Sequence, residues 1–405
     1  MTAGGLFLRK ILYCLLDGYG EKDEYRELGG KTPLEYANTP FLDSLLDKSE
    51  CGFLNPVGLG SIVPISDASA MTFSFLGYDV RSFPHGRGII EAIGEKMCVK
   101  NGDLAMRCNF ATINGEGVVV DRRAGRIQDT TALERAINSM KFGVPFEFKA
   151  TTAHRGILVF KKGRYSPEIT SPDPQQTGVM VGEAKPKKPS ARRTARLVNE
   201  FVQKSFGVLS GHPVNKERKK KGKPAANVLL PRGFGNKIPK LKPFSRRFGV
   251  KPVAVTGIAV NTGVCRLLGI PIEFVPEDVG DSFKEVMLKA RPVKRALKRK
   301  NFVFVHFKTT DLPGHDGDVH AKVREIERVD AFLEGIGLDE KTMIVVGADH
   351  CTSCRKKAHT VDPIPYLLFD GRPGKPGGKT FGEELCKKGP TIRQFDLLPR
   401  ALSRR

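Results

Sequence analysis

Nowhere in the 405 residues does an apolar run reach the roughly 20 residues that a membrane-spanning helix needs, so no membrane partner is expected. Cysteine is sparse: eight residues, scattered or set within apolar stretches such as those of Cys14 and Cys265. In a chain of this length that is no disulfide framework, and it points to reduced thiols and a cytoplasmic protein. Cys351 and Cys354 form a C-x-x-C, but no second pair stands at zinc-finger spacing. No internal repeat is present. Acids are scarce beside bases, for a formal charge of +23, and from Lys185 to Lys251 twenty Lys and Arg face only Glu200 and Glu217. Such a block reads either as a nucleic-acid footprint or as a solvated basic face near an anionic substrate. The segment has few aromatics to stack on bases and no nucleic-acid-binding motif. Specific nucleic-acid recognition is therefore not expected, whereas non-specific polyanion binding through residues 185–251 at low salt is.

What the chain does have is a set of apolar runs that end in acids and imidazoles. Ile11-Leu-Tyr-Cys-Leu-Leu leads to Asp17-Gly, and Asn301-Phe-Val-Phe-Val-His-Phe leads to Asp311 and His315. Thr342-Met-Ile-Val-Val-Gly-Ala leads to Asp349-His350, with His359 nine residues on. The first run could pass for a signal peptide, but it lacks an uninterrupted apolar core and ends in an acid followed by Gly-Tyr-Gly. It reads instead as the first strand. Ligands in open α/β sheets bind at the C-terminal ends of strands. Three carboxylates and three imidazoles there form the inventory of a metal cluster, and mixed oxygen and nitrogen donors suit Mn²⁺ or Zn²⁺ better than Ca²⁺. Two such ions are the usual solution for an in-line phosphoryl displacement.

Strand and helix patterns alternate at both ends of the chain, which predicts a mostly parallel sheet covered on both faces. Residues 1–100 and 246–405 are expected to build that core. Residues 101–245 change character, with a hairpin around Asn114-Gly115, several arginines, a helix over Arg192–Phe206 and a polar loop over Lys216–Lys223. They read as an inserted smaller α/β lid domain. Pro365–Asp370 reads as the last strand. Ser66-Asp67 stands just before an apolar periodicity over Ala68–Leu76. Ser66 reads as an N-cap, and a serine there is equally well placed as a phosphoryl acceptor, because the free N–H groups favour an incoming anion.

Longer motifs make a family visible. They include Leu16-Asp-Gly-Tyr-Gly, Leu28-Gly-Gly-Lys-Thr-Pro-Leu-Glu-Tyr-Ala-Asn-Thr-Pro40, Ser66-Asp, Leu76-Gly-Tyr-Asp79 and Gly86-Arg-Gly. Arg107-Cys-Asn-Phe-Ala-Thr112, Val120-Asp-Arg-Arg-Ala-Gly-Arg-Ile127, His154-Arg-Gly, His212-Pro-Val-Asn215 and Arg232-Gly follow. Thr310-Asp-Leu-Pro-Gly-His-Asp-Gly317, Ala348-Asp-His350 and His359-x-x-Asp-Pro-Ile-Pro365 complete the set. With these the chain resembles the archaeal-type, cofactor-independent phosphoglycerate mutases of the alkaline phosphatase superfamily over nearly its whole length.

The resemblance implies an alkaline-phosphatase-like core and interconversion of 3-phosphoglycerate and 2-phosphoglycerate through a phosphoserine at Ser66, without 2,3-bisphosphoglycerate. It implies one metal at Asp17, Ser66, Asp349 and His350 and another at Asp311, His315 and His359, with Mn²⁺ first and Zn²⁺, Co²⁺ or Mg²⁺ as alternatives. Arg122, Arg123, Arg155 and Arg232 are the expected substrate-binding residues, since the guanidinium fork binds carboxylate and phosphate bidentately. The chain departs from the family pattern at Pro84–Ile89, at Cys351-Thr-Ser353 and at Gln175. The alternatives are a metal-dependent phosphomonoesterase or phosphotransferase on the same core, or a degenerate homologue that binds polyanions.

Overall fold

The computed structural model describes residues 9–56, 68–83, 86–277, 279–339, 341–373 and 378–405. Strands β1 (Ile11–Leu16) and β2 (Ser49–Asn55) come first. They are followed by β3 (Leu104–Ile113), β4 (Val119–Asp121), β5 (Phe146–Ala150), β6 (Arg155–Phe160) and β7 (Val228–Gly235). Then come β8 (Pro252–Thr256), β9 (Ile272–Phe274), β10 (Phe302–Phe307), β11 (Met343–Gly347), β12 (Cys351–Ser353), β13 (Ala358–Thr360), β14 (Ile364–Phe369) and β15 (Thr391–Arg393). Two compact units result, residues 1–83 with 240–405, and residues 84–239.

The first unit is built on an eight-stranded sheet in the order β15-β2-β14-β11-β1-β10-β8-β9. Strands β11, β1, β10, β8 and β9 run parallel, while β14 is antiparallel to both its neighbours. A central parallel strand is covered on both faces, so it must be apolar throughout rather than alternating. All six residues of β1 and of β10 are accordingly buried. Tyr13, the hydroxyl-bearing residue of β1, donates that hydroxyl to the Phe75 carbonyl at 2.7 Å in helix Ala68–Phe75. The register pairs Leu16 with Phe307 and Leu15 with Gly347, so the chain leaves β1, β10 and β11 at one level. That level is where the acids and imidazoles begin.

The second unit carries an antiparallel sheet in which β3 pairs with β4, β6 and β7, and β5 pairs with β6. Phe142, Phe146, Phe160 and Phe201 pack ring against ring over it, with centroids 5.3–5.8 Å apart. Helix Arg87–Gly94 belongs to this unit and packs on β3 and β7.

Two sequence expectations need correction. Lys216–Lys223 is not a loop throughout: Pro213–Lys220 is helical. It has no apolar stripe to betray it. Its start is instead made by Pro213 and by His212, whose Nδ1 accepts the Val214 N–H, and its side is pinned by buried Asn215, which bonds Leu209 and Ala226. Nor is Ile364–Phe369 the last strand, since β15 follows and pairs with β2.

Candidate active site

Asp17, Asp349 and His350 form one triad, and Asp311, His315 and His359 another; in each, the candidate ligand atoms lie within 4.8 Å of one another. Asp17 follows β1 directly, its N–H bonded to the Phe307 carbonyl at 3.0 Å. Gly18 then turns the chain with φ +62, where a Cβ would come within 2.3 Å of the Thr352 hydroxyl. Only glycine fits there. Asp349 and His350 follow β11, and buried Gln394 holds the turn by donating to the carbonyls of Ala348 and Asp349 at 3.0 and 2.8 Å. Asp311 and His315 stand at either end of one helical turn after β10, and His359 is brought in by the β12–β13 hairpin.

The donors are arranged as a cation would require. Asp17 Oδ1 is buried without a hydrogen-bond partner, 3.2 Å from His350 Nε2 but off the bonding direction. His315 Nε2 and His359 Nε2 face each other at 3.1 Å, and both lie 3.5–3.6 Å from Asp311 Oδ1. Two imidazole nitrogens that close cannot both carry protons: either one N–H donates to the other nitrogen, or a metal ion takes both lone pairs. Burial and the neighbouring His350 push His359 down to about 3, which keeps its lone pair available. Burial and Asp17 push Asp349 up to about 6. Three buried carboxylates in one cluster are short of positive charge.

Sequence reasoning missed the groups that supply part of that charge. Lys308 Nζ spans the two triads, donating to Asp17 Oδ2 at 2.8 Å and to Asp311 Oδ2. Burial works against ionised Asp17, yet Lys308, His306 and His350 hold its carboxyl well below the usual range. Thr352 Oγ1 donates to Asp311 Oδ1 at 2.7 Å. One signal was there to be read: His306 interrupts an otherwise apolar six-residue strand. Ser66 and Asp67 lie outside the described residues.

The four expected arginines are in the second unit. Arg122 Nη2 meets Asp173 at 3.2 Å, and Arg232 Nη1 donates to Gln175 Oε1 at 2.9 Å. The register sets Arg107 beside Arg232 and Asn109 beside Arg155. Arg87 and Arg107, which lie in the motifs Gly86-Arg-Gly and Arg107–Thr112, share buried Glu91 at 2.6 and 4.0 Å. Burial and the facing arginines lower Arg107 and bring Arg232 down to about 10, and His154 in the same cluster falls to about 3. Arg107 Nε, Arg122 Nε, Arg232 Nε, Asn109 Oδ1 and His154 Nδ1 are all buried without a hydrogen-bond partner. Crowded arginines with unused Nε donors are suited to attracting an anion. By contrast, a cavity of about 490 Å³ beside Glu50, Asp370, Arg372 and Arg404 contains none of these groups. Its acids are already matched by Arg400 and Arg404.

The family model for 2,3-bisphosphoglycerate-independent phosphoglycerate mutase matches residues 47–215. A curated protein of that name from Methanopyrus kandleri is 43% identical over 377 residues, covering 89% of this chain and 87% of the relative. Its namesake from Thermococcus kodakarensis is 37% identical and covers 96% of each. Among solved structures, a Pyrococcus horikoshii protein is similar with a TM-score of 0.78 and 31% identity over 98% of both chains. The cofactor-independent phosphoglycerate mutase of Thermoplasma acidophilum follows with 0.63 and 29%, over 98% of this chain and 99% of that one. This chain belongs to the family of 2,3-bisphosphoglycerate-independent phosphoglycerate mutases, which are isomerases.

Proposed function

We propose that this mutase works through a phosphoserine at Ser66 and two divalent metal ions. Asp17, Ser66, Asp349 and His350 would hold one ion, and Asp311, His315 and His359 the other. The observation that carries the reading is the pair of convergent triads with an unpartnered Asp17 oxygen and two facing imidazole nitrogens. When bound, the ions neutralise the transferring phosphoryl group and lower the pKa of the serine hydroxyl. Mn²⁺ suits the oxygen and nitrogen donors.

Ser66 would take the phosphoryl group from O3 of 3-phosphoglycerate and return it to O2, so that no 2,3-bisphosphoglycerate is needed. Lys308 adds a fixed positive charge shared by Asp17 and Asp311, where charge develops on the phosphoryl oxygens. Arg122, Arg123, Arg155 and Arg232 would bind the substrate's anionic groups, a role supported for Arg122 and Arg232 by their unused Nε donors. The protein would be cytoplasmic and need no membrane. The test is a coupled assay for 2-phosphoglycerate with Mn²⁺, without 2,3-bisphosphoglycerate, on wild type and Ser66→Ala, following free phosphate alongside. Isomerisation without phosphate release, lost in the variant, is expected. Phosphate release without isomerisation would favour a phosphomonoesterase instead.

A further inference from the structure

His306 sits within β10, where every other side chain is apolar and the whole strand is buried. Both of its ring nitrogens face carboxylates. Nδ1 lies 2.7 Å from Glu277 Oε2, and Nε2 lies 3.3 Å from Asp17 Oδ2. The second oxygen of Glu277 is fixed in turn, accepting the Thr256 hydroxyl and the Gly257 N–H, each at 2.9 Å. Gly257 is needed for that approach, because a Cβ there would lie 2.0 Å from the Val275 carbonyl oxygen. The side chains of Glu277, His306 and Asp17 are 0%, 2% and 7% exposed. A line of contacts thus runs from the end of β8 through Glu277 to β10 and on to β1, across three adjacent parallel strands.

This line determines how Asp17 is presented. His306 and Lys308 occupy Oδ2, and Oδ1 is left buried and unpartnered beside His350. A carboxylate ligand held through one oxygen offers the other at a fixed angle, and groups that orient a ligand in this way tune metal affinity. We propose that Glu277 and His306 are a positioning pair that holds Asp17 for the metal shared with Asp349 and His350; this rests on the two-metal reading above. Neither residue is itself a member of either triad. The competing explanation, a buried polar network that serves stability alone, makes a different prediction, because it would treat both metals alike.

The test titrates Mn²⁺ into the metal-stripped full-length protein by calorimetry. Wild type should show two binding steps, assigned by Asp349→Asn, which removes one, and His359→Ala, which removes the other. Glu277→Ala and His306→Asn are expected to weaken the Asp349-dependent step about 10- to 100-fold and to leave the His359-dependent step within about twofold. Glu277→Gln keeps an acceptor for the imidazole and should recover most of the loss. If both steps are unchanged, or both weaken equally while the metal-free protein melts earlier, the positioning role is overturned. Wild type that takes up no Mn²⁺ would overturn the two-metal reading itself and the proposal with it. Should Glu277→Ala not fold, His306→Asn still decides the matter by the same two outcomes.

Discussion

Asp17, Asp311 and Asp349 are all buried, and bare like charges at that spacing would hold one another partly protonated. Lys308 answers this for Asp17 and Asp311 at once, and the cost of its burial is offset by both. From the Oδ2 side of each it therefore competes with metal ions for the charge of these two carboxylates, not for the oxygens left to the ions, while supplying charge for phosphoryl transfer. Lys308→Ala should lower kcat about 100-fold and yet tighten Mn²⁺ binding, two changes that steady-state kinetics and calorimetry would read separately. Weaker Mn²⁺ binding in that variant would contradict the competition. At this scale the candidate ligands were legible in the sequence, since each triad member follows an apolar run at a fixed offset or falls in a recognisable motif. Lys308 was not legible: directly after a buried strand, a lysine reads as the start of a solvated loop. Glu277 left no trace either, because its meaning lies in His306, 29 positions away in sequence.

The turn after β1 and the β12–β13 hairpin act as one element. Gly18 packs against Thr352, and the buried Lys322 ammonium donates to Glu21 at 3.1 Å and also to the Thr352 carbonyl. Gly18→Ala meets both a positive φ and a clash, so it should cost about 1–3 kcal/mol in denaturant unfolding and reduce activity through Thr352 and Asp311. Helix Glu383–Cys386 ties down the segment after Gly20 through Glu383, which accepts the Thr32 hydroxyl at 2.6 Å and the Glu21 N–H at 3.2 Å. Burial raises Glu383 to about 7. A folded-state value above the unfolded one means stability that is full below about pH 4.5 and is lost as pH rises through about 7. Glu383→Gln should therefore gain on wild type between pH 5 and pH 8, by on the order of 2–3 kcal/mol, in urea melts at the two pH values. A constant difference would contradict this. The parallel strands were readable as elements because burial on both faces makes them continuous apolar runs. Helix Pro213–Lys220 was not, because a cap and one buried amide hold it rather than a stripe.

Across the whole molecule, the formal charge of +23 is concentrated on residues 185–251, most of them in the second unit. Heparin or duplex DNA should bind at low salt without sequence preference, and binding should fall steeply between 50 and 200 mM salt, equally in wild type and Ser66→Ala. Binding that persists at high salt with a preferred sequence would contradict a purely electrostatic origin. The division into core and insertion could be sensed from the change of pattern near residues 100 and 245. Which sheet helix Arg87–Gly94 packs on is not written in its own sequence. The claim on which everything else depends is that a phosphoryl group passes through Ser66. Acid quenching of the Mn²⁺-loaded protein during turnover of 3-phosphoglycerate, followed by peptide mass spectrometry, tests it most directly. One phosphoryl group on Ser66, absent from Ser66→Ala and absent without substrate, is the expected result. Full isomerase activity in Ser66→Ala, with no phosphorylated peptide in wild type, would contradict the account.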